Sequence, residues 1–247
     1  ILLMPPAIGA YNNVIGADES LKNDLMALPD VETVSDWHFA SSVHDGSRLF
    51  ILGVDPTTYP EVTDLEFREG DADKAYSELA NGRNVIINSL VSLTYGLHVG
   101  DDFDLQIADG IQTYRVVGIA NDLLNLKLLT FTMSQDNMAT DFHKTESILF
   151  MINLKAGADK KAALSDIQTA AQDYPQFKVD LTSGYRDEMK QLVTGVMNVY
   201  YVLAALILIP AALGLLNTLT INILERTREI GVVRAIGASR PQVRRMV

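Results

Sequence analysis

Four histidines, His38, His44, His98 and His143, are the side chains best suited to hold a metal or move a proton near neutral pH. Their scattered spacing suggests no shared ion, and each is expected on the surface or in a turn. No H-E-x-x-H pattern places two of them on one helix face with a base between them. The carboxylates Asp71/Asp73 and Asp101/Asp102/Asp104 resemble fragments of calcium loops. They lack the spaced ligands and the closing Glu that such a loop needs. Asp101 and Asp102 belong more simply to a turn after Gly100. The chain has no Cys, which removes a thiolate nucleophile, a thiolate zinc site and any disulfide framework. No G-x-x-x-x-G-K-[ST] is present, so there is no phosphate-cradling loop. Trp37 reads as core rather than as a ligand platform. The expectation is a chain that is no enzyme itself, with no catalytic residues, no metal and no cofactor.

What remains is charge and its distribution. Of 247 residues, 48% are hydrophobic and 21% charged, which argues against disorder across the chain. The net charge of −11 lacks the basic footprint of a nucleic-acid binder. Residues 1–190 hold 14 Lys+Arg and 29 Asp+Glu; residues 191–224 hold no charged side chain; residues 225–247 hold six Arg and two Glu. An acidic body, an uncharged stretch and a basic end do not make one mixed globular surface. The basic end runs Glu225-Arg-Thr-Arg-Glu-Ile-Gly-Val-Val-Arg-Ala-Ile-Gly-Ala-Ser239, and its apolar and charged residues do not separate cleanly on a helical wheel. Gly231 and Gly237 permit bends or close backbone contact. Ser239–Gln242 fits a capping box, with Pro241 in the first turn of a further helix. The segment therefore reads as a short helix, a turn and the start of an amphipathic helix. By composition alone it serves equally as an anchor to anionic lipid.

The uncharged stretch separates these two charged zones. Within it, Val199–Leu216 is almost pure hydrocarbon. A bilayer core of roughly 30 Å needs about 20 helical residues. Tyr200 and Tyr201 stand where an aromatic belt would lie, and Arg226 and Arg228 where positive-inside residues would lie. Pro210 falls mid-span, which a membrane helix tolerates. Ala204, Ala205, Ala211, Ala212 and Gly214 allow close helix–helix approach. The competing reading is a core helix of a soluble protein. A spanning helix puts the basic end in the cytoplasm and residues 1–190 outside. Upstream, Tyr185, Met189, Leu192, Val196, Val199 and Leu203 recur at alternating spacings of four and three. No Pro interrupts them, and Gly195 is the weak point. One continuous helix running from the exported region into the bilayer follows, with a packing seam for another helix. Ile1 is no initiator Met, and the chain stops within an apparent helix at Val247, which reads as an excerpt of a longer polypeptide.

The exported region reads as short strands mixed with helices, an α+β domain. Helices are expected over Ser20–Leu28, Leu90–Tyr95 (capped by Asn88 or Ser89 and ended by Gly96) and Lys160–Tyr174. Strands are expected over Val31–Phe39, Leu49–Val54, Asn84–Asn88, Phe103–Ala108, Gln112–Ala120, Ser147–Leu154 and Val179–Leu181. Turns at Asp45-Gly46 and Asp109-Gly110 join two of the pairs. Thr57–Asn81 reads as loop with a short helix. Residues 121–146 are less legible, though the apolar run Leu123–Leu129 suits an interface.

Glu225-Arg226-Thr227-Arg228-Glu229-Ile230-Gly231, followed by Arg234-Ala235-Ile236-Gly237-Ala238-Ser239, resembles the cytoplasmic signature of FtsX/MacB-type ABC transporter permeases. The helix Ser20–Leu28 with Pro29-Asp-Val-Glu-Thr-Val34 is similar to the opening of MacB-like extracytoplasmic domains. So are Asn84–Leu105, which contains Tyr95-Gly-Leu-His-Val-Gly-Asp101, and Tyr114-Arg-Val-Val-Gly118. The resemblance implies a two-lobed α+β extracytoplasmic domain over 18–182. Its porter-like lobe comes from residues near 18–55 and 147–182, and an inserted mixed lobe lies at about 60–140. It implies a linker at 1–17 after an earlier transmembrane helix, with Ile1–Pro6 as that helix's tail. A stalk helix at 183–198, a transmembrane helix at 199–224 and a coupling helix with the start of the next helix at 225–247 complete the chain. Glu225, Arg226, Thr227, Arg228, Glu229, Ile230, Gly231, Arg234, Gly237 and Ala238 would then rest on a separate ABC ATPase subunit. Tyr185, Met189, Leu192 and Val196 would pack the stalk of a permease homo- or heterodimer in the cell membrane, with room for an extracytoplasmic partner protein. The reading that competes in function is a membrane-anchored binding or sensor domain with no ATPase partner.

Overall fold

The computed structural model describes residues 1–5, 15–121, 128–237 and 241. They fall into two units, Ile1–Gly184 and Tyr185–Val247.

In the first unit, β1 (Leu2–Met4) precedes α1 (Glu19–Met26), whose N-cap Asp18 accepts from the Ser20 amide. β2 (Val31–His44) and β3 (Ser47–Val54) form an antiparallel hairpin turned through Asp45 and Gly46, both at positive φ. Then come α2 (Tyr59–Val62), β4 (Glu66–Glu69), α3 (Ala72–Leu79), β5 (Asn84–Ile87) and α4 (Ser89–Tyr95). β6 (Asp102–Ile107) and β7 (Gly110–Asn121) make the second hairpin. β8 (Thr130–Ser134), α5 (Gln135–Phe142), β9 (Ser147–Leu154), α6 (Lys160–Ala170) and β10 (Lys178–Asp180) close the unit.

The ten strands among the described residues share one sheet, ordered β10-β1-β9-β2-β3-β8-β5-β7-β4, with β6 added on β7. β3 runs parallel to β8 and β5 parallel to β7; every other pairing is antiparallel. Two apolar cores on the sheet matter here. One gathers Leu3, Leu21, Leu25, Val34, Phe150 and Ile167 beneath α1 and α6. The other gathers Ile51, Val85, Phe103, Tyr114, Phe131 and Met138. β6 reaches back toward β2, where the Ser42 hydroxyl donates to the Gln106 carbonyl at 2.9 Å.

Several expectations change. Within Ile1–Pro6, expected as a helical tail, Leu2–Met4 is instead a buried strand between β9 and β10. Three apolar residues carry no period by which strand and helix can be told apart. β2 continues to His44 rather than Phe39, because its second half pairs with β3 after its first half has paired with β9. Thr57–Asn81 holds a strand and two helices, with Asp71 capping α3 by accepting from the Lys74 amide. The illegible stretch contains β8 and α5. β8 alternates polar and apolar side chains as Thr-Phe-Thr-Met-Ser yet is buried on both faces, so its alternation marks a strand without marking an outer face. Of the run Leu123–Leu129, only residues 128 and 129 are described.

In the second unit, helix α7 (Thr182–Ala235) begins at the end of the first unit and continues with Pro210 inside it. Its spacing matches the uninterrupted helix expected from Tyr185 onward. The coupling helix was expected as a piece of its own; instead Glu225–Ala235 continues the span without a break. Pro is absent from Ala211–Ala235, so nothing stops propagation. The helix ends at a turn, where Gly237 takes φ +102°, a conformation that a side chain would strain.

Candidate functional site

The candidate site lies on the last turns of α7. Glu225, Arg226, Thr227, Arg228, Glu229, Gly231 and Arg234 are exposed there, while Ile230 and Val233 are half-buried. The Thr227 hydroxyl donates to the Ile223 carbonyl at 2.7 Å, which holds that side chain against the helix. Gly237 is in the terminal turn; Ala238 and the capping box Ser239–Gln242 lie outside the described residues, apart from the helical backbone of Pro241. Immediately before this charged end, Ile207, Leu208, Ile209, Leu215 and Leu216 are each about 60–70% exposed, and none of the apolar window is buried. A soluble core helix would bury such a surface, so the core-helix reading fails. Hydrocarbon exposed all round a helix of this length belongs in lipid. Of the stalk positions, Tyr185, Met189 and Leu192 follow one another on α7, but their side chains are outside the described set. Val196 is exposed.

In the first unit, titratable side chains converge in two places that spacing did not reveal. Asp141 on α5 takes a bidentate pair from Arg83, Nε to Oδ2 and Nη2 to Oδ1, both at 3.0 Å. The buried Tyr114 hydroxyl of β7 also donates to Oδ2. Burial pushes the Asp141 carboxyl up, but the Arg83 and Tyr114 hydrogen bonds outweigh it and hold the carboxyl below its ordinary range. Tyr114 moves up, through burial and then through its bond to Asp141. The cluster ties α5 to β7 and to the turn before β5, and its chemistry is structural.

The second cluster centres on Asp36 of β2, which is 2% exposed. Lys22 of α1 pairs with Oδ1 at 2.7 Å. His38 Nε2 lies 3.3 Å from Oδ2, and the Ser147 hydroxyl donates to the same oxygen. Burial raises this carboxyl, yet the His38, Lys22 and Ser147 interactions together hold it well below the usual carboxylate range. His38 was expected in a turn or at the surface; it is buried, because strand β2 passes under α5 there. The other histidines match the expectation more closely: His143 is the left-handed cap of α5, His98 lies beside Glu69 at 3.1 Å, and His44 ends β2. Asp101 does belong to a turn, accepting from the His98 amide. Trp37 is fully buried core. Among the described residues, no three His, Asp or Glu side chains are arranged to hold a metal ion. A cleft lined by Leu52, Tyr59, Ile86, Asn88 and Thr130 offers about 10 Å³, room for about one water.

Comparison with known proteins places these elements in a family. The MacB-like periplasmic core domain matches residues 5–170, and the FtsX-like permease C-terminal region matches residues 201–247. Macrolide export ATP-binding/permease protein MacB of Bordetella avium is 22% identical over 195 residues, covering 75% of this chain and 30% of that protein. An uncharacterized ABC transporter permease of Methanocaldococcus jannaschii is 24% identical over 235 residues, 88% of this chain and 57% of that one. The chain thus spans about a third of the MacB relatives' length. Among solved structures, the periplasmic region of MacB from Actinobacillus actinomycetemcomitans aligns with a TM-score of 0.55 at 11% identity, covering 76% of this chain and 91% of that one. The extracellular domain of the ABC-type transporter YknZ aligns with a TM-score of 0.53 at 15% identity, covering 73% and 99%. The fold is therefore a mixed α/β sheet domain of the MacB/YknZ kind followed by one long apolar helix. The chain belongs to the FtsX/MacB-type ABC transporter permeases, and its apolar helix makes it a membrane protein.

Proposed function

We propose that this chain couples ATP hydrolysis by a nucleotide-binding partner to movement of the sheet unit on the far side of the membrane. One observation carries the reading: an exposed Arg/Glu-bearing turn continues, in one helix, an apolar span that no described residue covers. The match to the FtsX-like C-terminal region covers that turn. Arg226, Arg228, Glu229 and Arg234 would make salt-dependent contacts with acidic and basic groups of the ATPase. Ile230 and Val233 would fill apolar pockets, and Glu225, Thr227, Gly231, Gly237 and Ala238 would complete the contact. The positive-inside bias supports an orientation with this turn in the cytoplasm and the sheet unit outside. Tyr185, Met189, Leu192 and Val196 would pack a second permease copy or a related chain, and the sheet unit would receive any partner outside the membrane. Hydrolysis belongs to the partner in this reading, and export, extraction and mechanical signalling all use the same stroke.

The test is an Arg226→Glu, Arg228→Glu double variant of the full chain, assembled with its ATPase in proteoliposomes. Loss of permease-stimulated ATPase activity with unchanged membrane insertion is the expected result. Stimulation at the wild-type level in that variant would overturn the coupling role. Failure of the wild-type chain to engage any ATPase would favour a membrane-anchored binding domain.

A further inference from the structure

The face of β2 that carries Asp36 crosses both cores. Side chains two apart on a strand share a face. Along this one the order is Val34 in the first core, then Asp36 and His38, then Ala40 in the second core. On this face the apolar interior is interrupted by two buried titratable side chains between the two cores, while on the other face Trp37 packs edge-on against Tyr59. Burying charge this way costs solvation that the ion pair seldom returns in full, and an apolar pair of similar volume would join the cores at least as stably.

The backbone changes at the same place. Trp37 pairs with Leu149 of β9, and His38 already pairs with Ser147, so Ile148 is the extra residue of a bulge. Pairing of β2 with β9 ends at His38, where its pairing with β3 begins. Three other parts of the chain meet there. α1 supplies Lys22, the start of β9 supplies Ser147, and Gln135 of α5 donates its side-chain amide to the Asp36 carbonyl at 3.1 Å. α5 comes so close to β3 that a Cβ on Gly53 would stand 2.8 Å from the Met138 Cβ. The cluster is not a saturated lock. Among the described residues, His38 Nδ1 and Ser35 Oγ are buried without a hydrogen-bond partner.

We propose that Lys22, Asp36, His38 and Ser147 form a polar joint at which the body built on the first core turns against the body built on the second. The ion pair from α1 to Asp36 sets the resting angle, and the β9 bulge supplies the flexure. A polar seam suits this work because a few directed contacts can exchange partners, whereas a continuous interdigitated core resists any turn. The inference concerns residues 1–184 alone and does not depend on the ATPase reading.

The experiment uses the full chain in lipid nanodiscs. It has no native Cys, so spin labels go only where cysteines are introduced. One label replaces exposed Leu93 on α4, whose neighbour Val91 is in the second core. The other replaces exposed Asp166 on α6, whose neighbour Ile167 is in the first. A control pair at Leu93 and exposed Ser77 of α3, a helix packed on β5 and β7, stays within the second body. In Lys22→Met the 93–166 distance distribution is expected to shift or broaden while the 77–93 distribution keeps its wild-type form. Ser147→Ala removes one hydrogen bond and no charge, and is expected to give the same change on a smaller scale; it carries the test if Lys22→Met does not fold. Wild-type 93–166 distributions in the folded variants, even with lowered melting temperatures, would overturn the joint and leave a cluster that only stabilises.

Discussion

The two units use the same apolar side chains in opposite ways. In the sheet unit, Trp37, Leu49, Ile51 and Phe131 are fully buried. In the helical unit, Leu206, Ile207 and Leu208 are each about two-thirds exposed. The sheet unit makes its own dry interior from elements with one apolar face, so each strand and helix depends on its neighbours. The helix satisfies its backbone bonds within itself and leaves burial of its side chains to lipid. Hydrophobic content is therefore no guide to where a segment lies. What separates the two is whether polar and charged residues interrupt the apolar ones within a helix length.

That contrast can be broken in order of expected size. Phe131→Ala should cost the sheet unit about 3–5 kcal/mol, as a large cavity in a packed core does. Thermal unfolding by circular dichroism would show it, while membrane extraction of the full chain should not change. Leu208→Arg should do the converse. A charge at mid-span costs about 3 kcal/mol of insertion, read as a larger fraction extracted by carbonate, with the sheet unit's melting temperature unmoved.

Acid and alkali should affect the sheet unit. Asp36 and Asp141 have folded pKa values below their unfolded ones, so the stability they contribute is present above about pH 4 and is lost as pH falls further. Tyr114 is shifted the other way. Its contribution is present below about pH 10 and declines as pH rises beyond the ordinary tyrosine range. Denaturant melts across this range should give a plateau with both limbs falling, and Asp141→Asn should flatten the alkaline limb. The smallest effect is at a helix end: Asp71→Ala removes the acceptor for the Lys74 amide and should cost about 1 kcal/mol by denaturant titration.

Local chemistry made much of the fold legible. Asn88 accepts from the Val91 amide and Gly96 takes the left-handed cap of α4, both as the residue types demand. The Asp45-Gly46 and Asp109-Gly110 turns join the strand pairs assigned to them. β1, β4 and β8 were not legible. Runs of three to five residues are too short to fix a period, even where Thr130–Ser134 alternates, and distant strands give them a place. The charged turn at Glu225–Gly237 was visible because its residues are contiguous. The Asp36 and Asp141 clusters were not, because their members come from segments up to 125 residues apart and are ordinary within each segment.

By itself the sequence determined whatever depends on near neighbours: caps, turns, the uninterrupted helix, the hydrocarbon span and the division of charge on either side of it. Helix propagation and transfer into lipid act on consecutive residues, so they can be read along the chain. Only the tertiary structure decided that ten strands would join in one sheet, that two cores would share strand β2, and that a lysine, an aspartate, a histidine and a serine would meet between them. Those contacts follow from how distant surfaces pack, and packing has no counterpart in the order of residues.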